Sequence, residues 1–462
     1  MKKIIALLLA LCLAVPLAAC GDVKQTNRSL TIFVPHPELA KEIDVPLRRY
    51  RSNHPEIDVQ LSPLPEGYPT FAWDKNSGED QELYTQNFYK QIDQYNSQLN
   101  DFYAATRGEI AAGNGPDLIL FWDGIFPDIN KVIASGTFAS LDELMEADPE
   151  FKRSDYNEVV MKAGQFRGKQ YAFPLFYNFQ CLFSTEKILS GDDTAVPRPG
   201  GVDVTKATDF NAMLQEAVRA AETNPSQRIF SSRRADEILF PYSGLDPIDY
   251  DSKALNLDTP EFRAVQDSFA ALAASGQIGD QLEYVDNEFD AIQNGLIDVS
   301  IRGGLSAINL CAETNAKQLD PVVQPIRTVD GGIRGTVEFS AAIRANSANR
   351  QNAWDFMKVL LADEFQSTGY YDWSLPVKNL NINDRVANLR LRYQMFSSEL
   401  VGLNETFYEN YLKWVEEIDS VVYYSDFNDR ITEYFEPYYK GESSYDECLR
   451  KAKSQLAIYA SE

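Results

Sequence analysis

Histidine is nearly absent from this sequence: His36 and His54 are the two in 462 residues. Neither sits beside a nucleophile in a recognisable motif, so His-based metal sites and Ser–His or Cys–His catalysis have almost no material to work with. Cysteine is scarce as well. The five, at positions 12, 20, 181, 311 and 448, include no C-x-x-C pair, which excludes a zinc ribbon and a thioredoxin-like redox motif. Beyond the first twenty residues no apolar run approaches the ~18 residues needed to span a bilayer. Positive charge is in deficit, 43 Lys+Arg against 68 Asp+Glu for a formal charge of −25. Phosphate backbones are bound by Lys/Arg neutralisation, so nucleic acid is not an expected partner. Known ligand loops are missing too: there is no G-x-S-x-G, and Gly331 to Gly335 lacks the G-x-G-x-x-G spacing. Asp74 to Glu79 opens like a calcium loop, but its glycine falls at the fifth position and Thr85 stands at the twelfth. No cofactor and no metal are expected.

What is present is a globular composition, 44% hydrophobic and 12% aromatic. At roughly 100–200 residues per domain, the length suggests two or three lobes. Met1-Lys2-Lys3, the 14-residue apolar run Ile4 to Leu17 and the small residues before Cys20 have the layout of an export signal. Leu17-Ala18-Ala19-Cys20 resembles the lipobox of bacterial lipoproteins. That resemblance implies removal of residues 1–19, lipidation of Cys20 and a short tether over 20–29. Acyl chains contributing roughly 0.8 kcal/mol per CH₂ would then hold the protein on the outer face of the cell membrane. A Gram-positive surface is expected, with a periplasmic anchor the alternative. Cys181, Cys311 and Cys448 read as buried free thiols, because a chain this long needs no disulfide staple.

Leu30 to Val34 reads as a buried strand, and Leu39, Ile43, Leu47 and Tyr50 then fall on one helix face. Ile57, Val59 and Leu61 alternate as a strand would, and Leu118 to Trp122 is a third strand. Strand–helix–strand order argues for parallel pairing. A long helix between the second and third strands carries Tyr84, Phe88, Ile92, Tyr95, Leu99 and Phe102 on one stripe, read as core. Further strands are expected at 171–176, at Asp298 to Ile301 ending in an Arg302-Gly303-Gly304 loop, at Val322-Val323 and at Ser340 to Ile343. A helix is expected over Gln351 to Gln366. From Asn383 to Glu462 the pattern is helical, broken at Gly441.

Gly113-Asn114-Gly115-Pro116-Asp117-Leu118-Ile119 leads to Ser135-Gly136-Thr137-Phe138-Ala139-Ser140-Leu141, then to Gly168-Lys169-Gln170-Tyr171-Ala172-Phe173-Pro174 and Tyr177-Asn178. With the lipobox, with Gln293 to Gly304, Ile343 to Gln366 and Tyr439 to Ala457, this ordered series resembles the family 1 extracellular solute-binding proteins of ABC importers, a maltose-binding-protein-like group. The resemblance implies a type II periplasmic-binding-protein fold. Two α/β lobes, with parallel-rich sheets flanked by helices, are joined by multiple hinge crossovers around a ligand cleft. It places lobe 1 at 30–175 plus about 322–370, and lobe 2 at about 176–321 plus 371–462. It further implies a monomer that captures a small hydrophilic solute, a sugar or oligosaccharide above all, passes it to ABC permease subunits and performs no chemistry on it. A secreted carboxylate-pair glycosidase and a surface receptor without transport are the alternatives.

Open parallel sheets bind ligands at the carboxyl ends of their strands. Trp122 and Asp123 follow the third strand, where an indole face and a carboxylate suit a sugar's C–H face and hydroxyls; core packing and a helix cap are the competing roles. Tyr177 and Asn178 fall at the expected first crossover. Arg302, Gly303 and Gly304 follow a strand, with Arg302 able to pair a carboxylate or phosphate or to form a structural ion pair. Leu305 supplies no ring where sugar-binding relatives commonly carry Trp. Tyr242, Glu338, Phe339 and Trp373 complete the candidate ligand contacts.

Overall fold

A computed structural model describes residues 28–72, 80–122, 124–190, 203–225, 227–279, 282, 285, 288–316, 320–367, 374–396 and 405–461. The expected signal, Cys20, the calcium-like loop, Asp123 and Trp373 lie outside them. Ten strands form the main sheet among these residues. They are β1 (Ser29–Phe33), β2 (Asp58–Leu61), β3 (Leu118–Trp122), β4 (Ala172–Thr185), β5 (Arg228–Phe230), β6 (Ile297–Gly303), β7 (Pro321–Pro325), β8 (Ile333–Ile343), β9 (Leu375–Pro376) and β10 (Ile418–Val422). The helices used below are α1 (Gln81–Ala111), α2 (Ile129–Ala134), α3 (Phe210–Thr223), α4 (Pro260–Ala274), α5 (Gly304–Ala316), α6 (Arg350–Leu360), α7 (Asn379–Phe396), α8 (Glu405–Glu416), α9 (Asp426–Tyr439) and α10 (Tyr445–Ser461).

The parallel pairing expected from strand–helix–strand order is present, β1 lying between β2 and β3. β8 then runs antiparallel between β3 and β4, and the order continues through β6 to β5. The sheet spans two cores because β4 is long. Its first half, Ala172 to Tyr177, pairs β8, while Gln180 to Phe183 pairs β6 and Cys181 to Thr185 pairs β7. Continuous apolar residues, Phe173, Leu175, Phe176, Phe179 and Phe183, bury both faces of it.

The first core gathers β1, β3, β4 and β8 with Leu39, Ile43, Leu47 and Tyr50, and with Tyr95 and Leu99 of α1. The second gathers α3, α4, α9 and α10 around Phe210, Phe262, Phe269, Phe435 and Leu456. Local chemistry sets the helix starts: Asp209 caps α3 through Ala212 N, and Thr259 caps α4 through Phe262 N with Pro260 in the first turn. Each fully buried Phe or Leu contributes roughly 1.5–3 kcal/mol.

Several expectations shift. The 39–50 face is split into helices Pro37–Glu42 and Asp44–Asn53, with Ile43 ending one and starting the other. The 351–366 helix is likewise two pieces, α6 and Asp363–Ser367. β8 begins well before Ser340, so Glu338 and Phe339 lie inside a strand, and β10 interrupts the stretch read as helical throughout. β9 and the start of α7 pack on the first core, where Val377 N donates to Leu175 O at 3.0 Å and Arg385 donates to Gln366 O at 3.0 Å. Cys181, Cys311 and Cys448 are buried free thiols.

Candidate functional site

Two groups of side chains meet where β3 and β8 pair, Trp122 opposite Phe339. The first group stands at the carboxyl ends of β1 and β3. His36 follows β1 and caps the next helix, its Nδ1 accepting from Glu38 N at 3.2 Å. Burial pushes the imidazole pKa down, with Glu38 opposing, so the ring stays neutral and keeps that acceptor role at neutral pH. Its ring lies 5.6 Å from half-buried Trp122 and 4.9 Å edge-on from Tyr68.

The second group lines a cleft of about 500 Å³. Gln180 of β4 and Thr336 and Glu338 of β8 come from the shared sheet. Glu237, Ile238, Pro241 and Tyr242 form one wall, and Tyr424 with Asp429 and Glu433 of α9 form the other. Asp429 and Glu433, one helical turn apart, share a face of α9. The Tyr242 hydroxyl accepts from Gln180 Nε2 at 3.3 Å and lies 3.3 Å from Thr336 Oγ1. Tyr424 donates its hydroxyl to the Asp429 carboxylate. Burial pushes the Glu338 carboxyl up, partly offset by a bond from Thr336. Glu237 is also raised, first by burial and then by the charges of Asp236, Asp429 and Glu433, against the lowering by Arg234, whose guanidinium lies 2.5 Å away. The lining residues thus supply carboxylates, hydroxyls and one amide, and none of them is Lys or Arg. Such a surface accepts hydrogen bonds from hydroxyls and repels anions. Among the described residues no group of three or more His, Cys, Asp or Glu side chains is placed to hold a metal ion.

Of the expected contacts, Tyr242 and Glu338 line this cleft, while Trp122 packs half-buried against the first core near His36. Tyr177 and Phe339 are instead wholly buried in the first core, because β4 and β8 continue as strands with both faces covered where a crossover and a strand start were expected. Burial also raises the Tyr177 phenol, whose oxygen is 3.5 Å from Asn157 Nδ2. Asn178 is structural: its Oδ1 accepts from Phe179 N at 2.9 Å and Gly304 N at 3.0 Å, pinning the start of α5 to β4. Gly303 and Gly304 are not a loop, since β6 runs directly into α5. They permit close approach: a Cβ on Gly303 would meet Asn178 Nδ2 at 2.5 Å, and one on Gly304 would meet the Phe179 ring at 2.9 Å. Arg302 pairs with Glu288 at 2.9 Å and does not line the cleft. Sequence reasoning missed His36, Tyr68, Gln180, Glu237, Tyr424, Asp429 and Glu433. His36 carried a usable signal, since it follows β1 as Trp122 ends β3.

The sequence profile of the bacterial extracellular solute-binding proteins matches residues 86–384. The chain belongs to this family. Solved solute-binding proteins share its fold. The sugar-binding protein MalE of Xanthomonas citri superposes with a TM-score of 0.60 at 11% identity, covering 94% of this chain and 97% of that one. The GacH receptor of Streptomyces glaucescens, solved unliganded and with acarbose, gives 0.56 at 15% identity over 94% and 98%. An ABC substrate-binding protein of Listeria monocytogenes in complex with cycloalternan gives 0.56 at 14% over 94% and 99%. No curated protein matches the chain. The solute-binding protein therefore has the two-lobe, maltose-binding-protein-like fold, built here on one sheet that the two cores share. No helix among its described residues is long and apolar enough to cross a membrane.

Proposed function

We propose that this solute-binding protein captures an uncharged carbohydrate in the cleft between its lobes and delivers it to an ABC permease, tethered to the outer face of the membrane through Cys20. One lobe is read as 30–175 plus about 322–370 and the other as about 176–321 plus 371–462, with 374–389 packing on the core of the first. The observation that carries the reading is the cleft's lining, in which Glu237, Glu338, Asp429 and Glu433 offer acceptors to hydroxyls while the guanidinium beside them, Arg234, is already paired to Glu237 at 2.5 Å. Trp122 and Tyr68, which pack around His36 at the ends of β1 and β3, supply further ring faces that a bound sugar could reach on closure. The sugars named for the Streptomyces and Listeria structures support the same class. A solute bridging both lobes favours the closed arrangement by its difference in affinity for the two states.

Thermal-shift screening of the protein against maltotriose, neutral monosaccharides, polyols, sugar acids and sugar phosphates tests this. A neutral saccharide should raise the melting temperature by mass action, bind one to one and be recovered unchanged, while the anionic analogues do nothing. Trp122→Ala should then weaken binding about 30-fold, or about 2 kcal/mol. Stabilisation by anions alone would overturn the assignment, and conversion of the sugar would mark the cleft as hydrolytic.

A further inference from the structure

Beside the cleft, one buried carboxylate is divided between the two cores. Asp128 follows β3 and caps α2, whose Ile129 and Ile133 belong to the first core. Its Oδ1 serves its own lobe, accepting from Asn130 N at 3.1 Å and Lys131 N at 3.2 Å. Its Oδ2 accepts from the hydroxyls of Tyr250 at 2.8 Å and Tyr459 at 2.7 Å. Both tyrosines pack on the second core. We propose that Asp128, Tyr250 and Tyr459 form a latch that holds the lobes closed and so sets the affinity for solute.

Neighbouring contacts act in the same direction. Lys131 Nζ donates to the Tyr459 carbonyl at 2.7 Å and lies 4.1 Å from its ring centroid. Asp128 and Ser425 form an antiparallel bridge, and Asp426 N donates to Pro127 O at 2.9 Å. Ser425 caps α9, the helix that presents Asp429 and Glu433 to the cleft. Closing the latch therefore positions one wall of the site. At 4% exposure Asp128 is shielded from water, where hydroxyl donors to a charged acceptor are at their strongest. Burial raises both phenols, which keeps them protonated as donors. A receptor whose closed state is a fraction of the population shows its intrinsic dissociation constant divided by that fraction. These side chains touch no solute in this reading; they act on affinity through the closed population.

The consequence for affinity rests on the solute-capture reading, but the structural test does not. The Tyr250→Phe/Tyr459→Phe double variant removes both hydroxyls and leaves the α2 cap intact. Asp128→Asn also keeps Oδ1 for the cap while losing the second acceptor. Small-angle scattering of ligand-free protein should show a larger radius of gyration for both variants than for wild type, with unchanged circular dichroism. With maltotriose as probe, Kd should weaken about tenfold, equivalent to 1.4 kcal/mol. Scattering curves identical to wild type would refute the latch whatever the binding data show. Failure of wild type to bind maltotriose or any other sugar would instead strike at the carbohydrate reading, leaving the scattering result to decide the latch.

Discussion

Asp117, the acidic residue of the Gly-Asn-Gly-Pro-Asp motif, offers the sharpest test of how the first lobe is built. It is 4% exposed and joins three segments. Its Oδ2 accepts from Thr31 N at 2.9 Å, Thr31 Oγ1 at 2.8 Å and Asn349 Nδ2 at 3.0 Å, and its Oδ1 from Ser347 Oγ at 2.7 Å. Arg344 lies 3.5 Å away. Burial alone would raise its pKa, but the bonds from Thr31, Ser347 and Asn349 outweigh that and hold the carboxyl below its ordinary value. In Asp117→Asn the amide nitrogen can face the rotatable Ser347 hydroxyl, leaving the amide oxygen as a neutral acceptor for three donors. Each of those bonds then weakens by about 1 kcal/mol, the difference between charged and neutral acceptors, so the variant should lose about 3 kcal/mol. At about 2–4 °C per kcal/mol for a lobe of 150–250 residues, the first melting transition should fall by about 6–12 °C in calorimetry. Because the folded pKa is depressed, this stabilisation is present above the unfolded value of about 3.9 and disappears as pH falls through the folded one. The deficit of the variant should therefore be full at pH 6 and shrink below pH ~4. A variant melting within 2 °C of wild type at pH 6, or an undiminished deficit in acid, would refute the reasoning.

Glu338 carries the opposite sign. Its folded pKa is raised, so any contribution it makes is present below the ordinary glutamate value and is lost as pH rises through the folded one. Glu338→Gln should accordingly melt higher than wild type at pH 8 and match it near pH 4; equal melting at both would sink that assignment. Gly304→Ala should cost about 1–3 kcal/mol by overpacking, since its Cβ would fall 2.9 Å from the Phe179 ring and 2.8 Å from the Tyr411 hydroxyl, both wholly buried. An unchanged denaturation midpoint would mean that α5 can slide.

Much of the scaffold could be read from sequence because it is local. Leu118 to Trp122 is an unbroken apolar run ending a glycine-rich turn, and the stripe from Tyr84 to Phe102 keeps helical spacing through α1. The full length of β4 escaped because the polar pair Asn178 and Gln180 resembles a break after 171–176, whereas the two cores covering the strand decide its length. β10, Ile-Asp-Ser-Val-Val, lies in a helical neighbourhood and forms because the start of β8 offers it a parallel edge. The site divided in the same way. The position of Trp122 at the end of β3 was legible, and Tyr242 and Glu338 were named among the residues that line the cleft. Gln180, Glu237 and Tyr424 were not, since each is an unremarkable polar residue until distant segments converge. Phe339 misled because its neighbour Glu338 faces the cleft while it faces the core, and Tyr177 because β4 continues past it as a buried strand.

Ser347 reaches back 230 positions to Asp117, and β8 must insert between β3 and β4 before the first lobe has a finished sheet. The first lobe cannot be completed until the chain beyond Ser347 has been made. A nascent chain emerging from a ribosome or a translocation channel would hold β1 to β3 with an open edge until the late segments arrive, and closing loops of that size slows assembly. Delayed closure of this kind leaves the first three strands unable to commit to a finished lobe until the late segments are made.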